Sequence, residues 1–513
     1  MSSSGDKNQP PSSSPSSFLE KEQGDMVQRQ QSTSQRIRSG TSLDSNTNTD
    51  SMDEQDFLSL QRQTFDDMAD WFASGQGIPD ELIPIYQYLT RSILDSYRSS
   101  LPPLDRQEDD KESEPLLTDS NQPVRILDVA CGAGALWDFL LRTKDDNLDL
   151  DITGVDLSPK MVQVAQTKAD TILSDKTLAG PQTTIRVVES DILDYCATDK
   201  SSSDENEKEI SGSYDVVISN ASFGNFFNPG MVLQHMADHL LRQGGKLYIT
   251  HPLGAAFVKQ LHESSPETVP HLLPASVDDW VQLTLGLPLR VDRLDEAVDI
   301  DGERRDVYLA ELTRVRYKCL DQVVRLRGKV DEGYGRGGKK LGFPTANLPS
   351  SFFQDALEEV PTGVYFGWAV LETDQNGPEK KGRNVPHKAV VNVGYSPTFE
   401  GQENPEKIVE AHLIFDTEDG SSPLDPPDFY GEVMRLQLHG YLRPEIKFPS
   451  FPALIAQITA DKEDSQQALD YAPYSTMKLD TFLSSATPWI GKDGGDDSAS
   501  WEFEDFSSAL ESL

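Results

Sequence analysis

Apolar residues at Phe65, Met68, Ala69 and Phe72, then at Leu82, Ile85, Tyr86, Leu89, Ile93 and Tyr97, return every three or four positions. That is the spacing of one helix face, and it predicts two helices ahead of the first core strand. From Val124 to Val129 the pattern becomes a short continuous apolar run bounded by turn residues. A helical set (Leu136, Phe139, Leu140) and a second run from Ile152 to Val155 follow. Tyr214 to Asn220 and Gly245 to His251 repeat the strand signal around a helix at Met231 to Leu241, and "RDVYLAELTRVRY" ends the series. Strands alternating with helices predict a Rossmann-like α/β unit with a parallel sheet.

After Tyr317 the period changes again. "QVVRLRGKV", "TGVYFGWAVL", "HKAVVNVGY", "KIVEAHLIF" and "EVMRLQLHGYL" are short strands separated by Gly and Pro turns, the signature of an antiparallel barrel. One helix follows, opened by Ser450 with Pro452 in its first turn. The expected division is a disordered stretch over 1–55, a helical lead-in and linker over 56–122, the α/β unit over 123–318, the barrel with its helix over 321–470, and an acidic, solvated tail over 471–513. The N-terminal expectation rests on a Ser, Gln, Asn and Pro composition too poor in apolar surface to offset ordering entropy. "LPPLDRQEDDKESEPL" reads as a solvated linker, and "ATDKSSSDENEKEISGS" as a polar surface insertion.

Charge narrows the function. With 46 basic against 85 acidic residues the 513-residue chain carries a formal net charge of −39, which excludes a nucleic-acid or anionic-membrane surface as its main business. Any phosphate site must be local. Cys131, Cys196 and Cys319 lie far apart and lack metal-ligand spacing, so neither a disulfide framework nor a structural zinc is expected. No apolar run reaches the roughly 20 residues of a spanning helix, and Asp6, Glu20, Glu22 and Asp25 interrupt any transit pattern. The expected location is the cytoplasm, an organelle not being excluded.

In the α/β unit, "VRILDVACGAGALWDFL" ends a strand on Asp128 and turns through Gly132 and Gly134, where backbone can approach a ligand closely. A dinucleotide fingerprint would need its third glycine at Trp137, so a hydride-transfer cofactor is disfavoured. Asp156 and Asp191 end the next two strands. These segments resemble class I S-adenosylmethionine-dependent methyltransferases from about Val124 to Tyr317. The resemblance implies a cofactor site made by Asp128, Gly132, Gly134, Asp156 and Asp191, with the glycines toward the methionine portion, Asp156 on the ribose hydroxyls and Asp191 on the adenine amino group. The strand for acceptor chemistry ends in "SNASFGNFF" and identifies no acceptor; Asn220 and Phe223 have pocket and structural roles open to them. His251 and His262 show no partners in sequence and read as ordinary residues. "VDIDGERRD" echoes the start of a phosphatase motif, but Glu303 and Arg304 break it, and an Asp-Gly hairpin turn explains it better.

In the barrel, "RGGKKLGFPTANLP" crowds glycines and cations before a Thr and an Asn. Gly328, Gly333, Gly335, Gly337 and Gly338 free the backbone to meet an anion, and Arg336 and Lys339 add local positive charge. Thr345 and Asn347, two apart on a strand, share a face and offer hard oxygens suited to Mg²⁺. Along "KIVEAHLIFD", Val409, Ala411 and Leu413 alternate with Glu410 and His412, which places Glu410 on the face opposite the core. Together with "GVYFGWA", "VVNVGYSPTF", "FYGE" and "GYLRPEIKF", these segments resemble riboflavin kinase over roughly Val323 to Leu469. The resemblance implies a six-stranded Greek-key barrel that transfers the ATP γ-phosphate to the 5′-hydroxyl of riboflavin. Carried over by position, Glu410 is the catalytic base, Thr345 and Asn347 hold Mg²⁺, Gly333 and Lys339 contact ATP, and Arg443 and Phe448 face the flavin; His412, on the strand face of Glu410, reads from its position as a positioning residue rather than a second base. Inserted residues at "ETDQNGPEKKGRNVPHK" and "DTEDGSSPLDPPD" lengthen two loops beyond that pattern.

The expectation is a bifunctional enzyme acting on small molecules, riboflavin and ATP, with a methyltransferase-like unit of unknown acceptor. The alternative keeps the kinase and makes the first unit an inactive S-adenosylmethionine sensor or scaffold. A fused FMN adenylyltransferase is excluded by the lack of a His-x-Gly-His motif.

Overall fold

The computed structural model describes residues 52–73, 78–99, 122–144, 148–196, 212, 214–331, 345–348, 353–373, 380–395, 407–415, 424, 429–484 and 499–513. The expected N-terminal disorder, the linker after residue 100 and nearly all of the polar insertion near residue 200 lie outside these. So do residues 374–379 of the first lengthened loop and all of the second but Leu424. The chain divides into two compact units, one drawn from residues up to Val277 and from Asp292–Arg314, the other from Asp278–Val291 and Val315–Leu513.

The first unit opens with helices α1 (Glu54–Ala73) and α2 (Ile83–Ser99). Strands β1 (Val124–Val129), β2 (Leu150–Asp156), β3 (Thr184–Glu189), β4 (Tyr214–Asn220), β5 (Leu241–His251), β6 (Leu289–Ile300) and β7 (Glu303–Arg314) then form one sheet in the order β3-β2-β1-β4-β5-β7-β6. Helices α3 (Trp137–Thr143), α4 (Pro159–Ser174), α5 (Pro229–His235) and α6 (Gly254–Ser264) connect them. β1 runs parallel to both β2 and β4, so its side chains are covered on both faces and Ile126, Leu127 and Val129 are fully buried. β7 runs antiparallel to β5. The β6–β7 hairpin turns at Asp301 and Gly302, both at positive φ, as the Asp-Gly reading requires. α4 starts where Ser158 Oγ accepts the Met161 N–H at 3.1 Å, with Pro159 at the first helical position.

The expected boundary at residue 318 differs from the observed one in two ways. The second unit begins at Val315, and it also takes in Asp278–Val291. Leu285 packs with Val315, Tyr317 and Val323, the Val315 N–H donates to the Pro288 carbonyl at 2.9 Å, and the Arg290 guanidinium lies 4.3 Å from the Tyr471 ring centroid. Period alone assigned these residues to their sequence neighbours.

In the second unit, β8 (Lys318–Lys329), β9 (Thr345–Leu348), β10 (Gly363–Leu371), β11 (His387–Tyr395), β12 (Lys407–Ile414) and β13 (Val433–Arg443) are the six expected strands. They follow the order β8-β13-β10-β11-β12-β9, and a single bridge, Asp331↔Asn347, links the end of β8 back to β9. The core inside contains Val409, Ala411, Leu413, Val391 and Leu436. The expected helix follows as Phe451–Ala468, capped by Ser450 Oγ on the Ala453 N–H at 3.3 Å.

The tail departs from expectation. Rather than lying solvated, Ala499–Asp505 forms a seventh strand, β14, antiparallel to β8, and Phe506–Glu511 is helical. The cause is a period-two pattern inside an acidic composition. Trp501 and Phe503 pack on the barrel core, while Glu502 and Glu504, on the other face, pair with Arg325. Arg325 also bonds Asp480, which is itself buried and accepts from Gln437 at 2.6 Å. Phe506 is 2% exposed among Phe366, Tyr474 and Val323. Phe506→Ala is expected to destabilise the second unit by about 3–5 kcal/mol, read as a lowered denaturant midpoint. An unchanged midpoint would show that the tail does not pack as described.

Candidate functional site

The C-terminal ends of β1, β2, β4 and β5 open on a cavity of about 300 Å³ within the first unit. Ligands of open α/β sheets occupy this place, because strand ends and helix starts leave a crevice there. Gly132, Asp156 and Asp191 line it. Asp156 accepts the N–H of Gly132 at 2.8 Å and of Ser158 at 2.9 Å. Burial raises its pKa, and these two bonds oppose the rise. With two donors engaged, a carboxylate retains lone pairs for a diol. Asp191 is half-buried and accepts the Leu193 N–H at 2.7 Å; burial raises its pKa too.

Asp128 and Gly134 lie outside that lining. Asp128 is 3% exposed and accepts the Trp137 indole N–H at 2.9 Å. Burial pushes its pKa up to about 7, against the opposing effect of the indole bond. Gly134 sits at φ +70°, and a Cβ built on it would come within 2.5 Å of the Trp137 ring. Trp137, which breaks the dinucleotide pattern, is therefore the residue around which this turn is shaped.

One side of the cavity was not legible in sequence. The apolar face of α1 lines it through Phe57, Leu58, Phe65, Met68 and Phe72, and Asp66 on the same helix takes a hydrogen bond from Ser158. His251, at the end of β5, lines it as well. The helix face was visible as a period; what it would cover was not.

In the second unit, β12 places Glu410 directly across from Asn347 on β9 and from Asn392 on β11, while His412 is opposite Thr345. Glu410, His412, Asn347 and Asn392 are half-buried on the face opposite Val409, Ala411 and Leu413. The Asn392 amide donates to Glu445 at 3.4 Å, and Glu445 lies against Gly394, where a Cβ would meet its carboxylate at 2.0 Å. This contact brings the segment after β13 to the Glu410 row.

Arg443, two residues earlier, is held by Asp461 on the C-terminal helix. Its Nε lies 2.9 Å from Oδ1 and one terminal nitrogen 2.6 Å from Oδ2. Its guanidinium carbon is 5.6 Å from the Phe448 ring centroid, so the two residues expected to face the flavin stand together. Asn392, Glu445 and Asp461 escaped the sequence reading; only "VVNVGY" and "RPE" hinted at the first two. Gly333 and Lys339 lie outside the described residues. Among those described, no cluster of three or more His, Cys, Asp or Glu residues is arranged to hold a metal, and no helix is long and apolar enough to cross a membrane.

A riboflavin kinase family profile matches residues 320–469, and a methyltransferase-domain profile matches residues 120–283. Riboflavin kinase of Mus musculus is 36% identical over 157 residues, covering 31% of this chain and 88% of that protein. A bifunctional riboflavin kinase/FMN phosphatase of Arabidopsis thaliana is 35% identical over 224 residues, or 44% of this chain; the chain spans only 47% of that relative's length. A magnesium protoporphyrin IX methyltransferase from Synechocystis, solved with bound SAH, is 14% identical and aligns over 51% of this chain and all of its own, at a TM-score of 0.32. The matches define two enzyme classes in one polypeptide, a flavin kinase barrel and a methyltransferase domain. The chain belongs to the riboflavin kinase family.

A buried carboxyl with a raised pKa favours the folded state at low pH and ceases to do so as pH rises through the raised value. Asp128→Asn, which keeps an acceptor for Trp137, is therefore expected to raise the thermal midpoint more at about pH 8 than at about pH 5, each pKa unit counting for about 1.4 kcal/mol. Parallel curves for variant and wild type would place Asp128 in a wetter setting.

Proposed function

We propose that the second unit transfers the γ-phosphate of ATP to the 5′-hydroxyl of riboflavin, giving FMN and ADP. The observation that carries this is the cross-strand row Asn347, Glu410, Asn392, presented on the non-core face in a member of the riboflavin kinase family. In the reaction the hydroxyl oxygen forms a bond to γ-phosphorus, its proton passes to the Glu410 carboxylate, and the bond to ADP breaks. Asn347 supplies a neutral oxygen beside that carboxylate, a donor set that fits a hard cation, and the family pattern assigns Thr345 to the same ion. Mg²⁺ bound there would neutralise phosphate charge. Arg443, fixed by Asp461 beside Phe448, offers a flat cationic surface to an isoalloxazine ring.

The cavity of the first unit is read as an S-adenosylmethionine site. Asp156 takes the ribose hydroxyls, Asp191 the adenine edge, and Gly132 lets the backbone approach the methionine portion. Asp128 and Gly134 support the turn from behind, through Trp137.

Glu410→Gln is expected to lower FMN formation by roughly 10²- to 10⁴-fold while ATP and riboflavin still bind. Turnover at the wild-type rate would remove Glu410 from the role of base. Calorimetric titration with S-adenosylmethionine is expected to show one site on the full chain, weakened at least tenfold by Asp156→Ala, since a lost hydrogen bond to a charged group is worth about 1.5–3 kcal/mol. No heat with the wild-type protein would end the cofactor reading.

A further inference from the structure

Beyond the cofactor edge, the cavity of the first unit is walled by aromatic and aliphatic side chains. Phe57 on α1 lies 5.4 Å from Phe227, and Phe223 lies 6.1 Å from Phe226, centroid to centroid. Val258, Leu261 and Leu273 continue the wall. Such a slot favours a flat ring. Neither Lys nor Arg occurs in the lining, whose charged residues are Glu54, Asp156 and Asp191, so a phosphate or another polyanion is excluded and at most one negative charge, offset by the cofactor's sulfonium, can be held there.

Several polar groups of the lining are engaged with one another, although Gln61 Oε1 has no partner among the described residues. Thr250 Oγ1 donates to Asn220 Oδ1 at 2.9 Å, and the same Asn220 side chain bonds the Tyr86 hydroxyl. Asn220, the sequence candidate for acceptor binding, is thus tied into the cavity floor. His251 is different. It is 6% exposed, its ring lies 5.6 Å from Phe257, and its Nδ1 accepts the Leu253 N–H at 3.2 Å. Burial pushes its pKa down to about 4, so the ring is neutral at physiological pH, and the occupied Nδ1 leaves the proton on Nε2. Among the described residues Nε2 has no partner. His251 is therefore a hydrogen-bond donor and not a base.

We propose that the methyl acceptor is a small, flat, ring-bearing molecule with one weakly acidic hydroxyl, a phenol or enol, bound as its oxyanion on the Nε2–H of His251. The proposal rests on reading the cavity as an S-adenosylmethionine site. An oxyanion needs no base in the cavity, because its proton stays in bulk water when it binds. Its lone pair forms the new O–CH₃ bond as the C–S bond breaks and that electron pair remains on sulfur. An anion and a sulfonium thereby become a neutral ether and a neutral thioether, a change that an apolar, low-dielectric wall favours.

The test uses the full chain and 4-nitrophenol, whose anion is coloured, titrated with sinefungin bound, a cofactor analogue that carries a cationic amine in the place of the sulfonium. The anion is expected to bind at least tenfold more tightly than 4-nitroanisole and than 4-nitrophenyl phosphate. His251→Phe should weaken it about tenfold, and His251→Gln, which restores an N–H, should recover most of that loss. With S-adenosylmethionine in place, mass spectrometry should find 4-nitroanisole. Equal binding of the phenol and its phosphate ester, or of the phenol and its methyl ether, would overturn the proposal without any variant. So would unchanged phenol binding in His251→Phe. A wild-type protein that fails to bind S-adenosylmethionine in a separate titration would instead remove the cofactor reading, and the acceptor role with it.

Discussion

A β-strand has two faces, and a barrel commits one of them to its core. On β12 that commitment is made by Val409, Ala411 and Leu413, each at most 2% exposed. A slip of one residue would bury Glu410 and His412 and turn three apolar side chains to water. The register that keeps the core dry is the register that sets Glu410 opposite Asn347 and Asn392. Packing and the placing of this row are here one constraint, and each strand contributes a single polar residue to a row that no local segment contains.

The first unit reaches its site by a different route. Its parallel strands are buried on both faces, so function is confined to their ends. Gly132 and Asp156 meet there because the turn after β1 folds over the end of β2, with the Gly132 N–H on the Asp156 carboxylate. Trp137 holds that turn from below through Asp128 and fills the space that Gly134 leaves. Above it, α1 supplies the apolar cover. An α/β crevice and a barrel rim thus gather polar side chains from separate strands, with unrelated backbones.

The sequence showed most clearly what depends on period and on turn chemistry. Most strands of both sheets, though not β6 or β14, the Asp301–Gly302 hairpin, the Ser450 cap and the alternation through Glu410 were readable, because each is decided within a few residues. What was hidden depends on partners far along the chain. Asp461 is recognisable as the anchor of Arg443 only once helix and strand are folded together. On that helix the apolar Leu454, Ile455 and Ile458 are only half-buried, while Asp461, Ser465 and Ala468 are the residues covered. Trp280 and Leu285 had the right composition for either unit, and His251 became informative only when its Nδ1 was seen to be occupied. The tail misled through its average: acidity suggested solvent, whereas the alternation of Trp501 and Phe503 with Glu502 and Glu504 encoded a strand.

That last strand has a consequence for the behaviour of the molecule in concentrated solution. Without β14, the free side of β8 would present a row of unsatisfied amides and carbonyls, a template onto which another polypeptide can add itself. β14 covers it and then becomes the outermost strand, but one studded with Glu502, Glu504 and Asp505. Like charges brought together repel, so two such borders do not zip up. Loss of residues 499–513 would therefore bare the margin of β8 and withdraw Phe506 from the core in the same event.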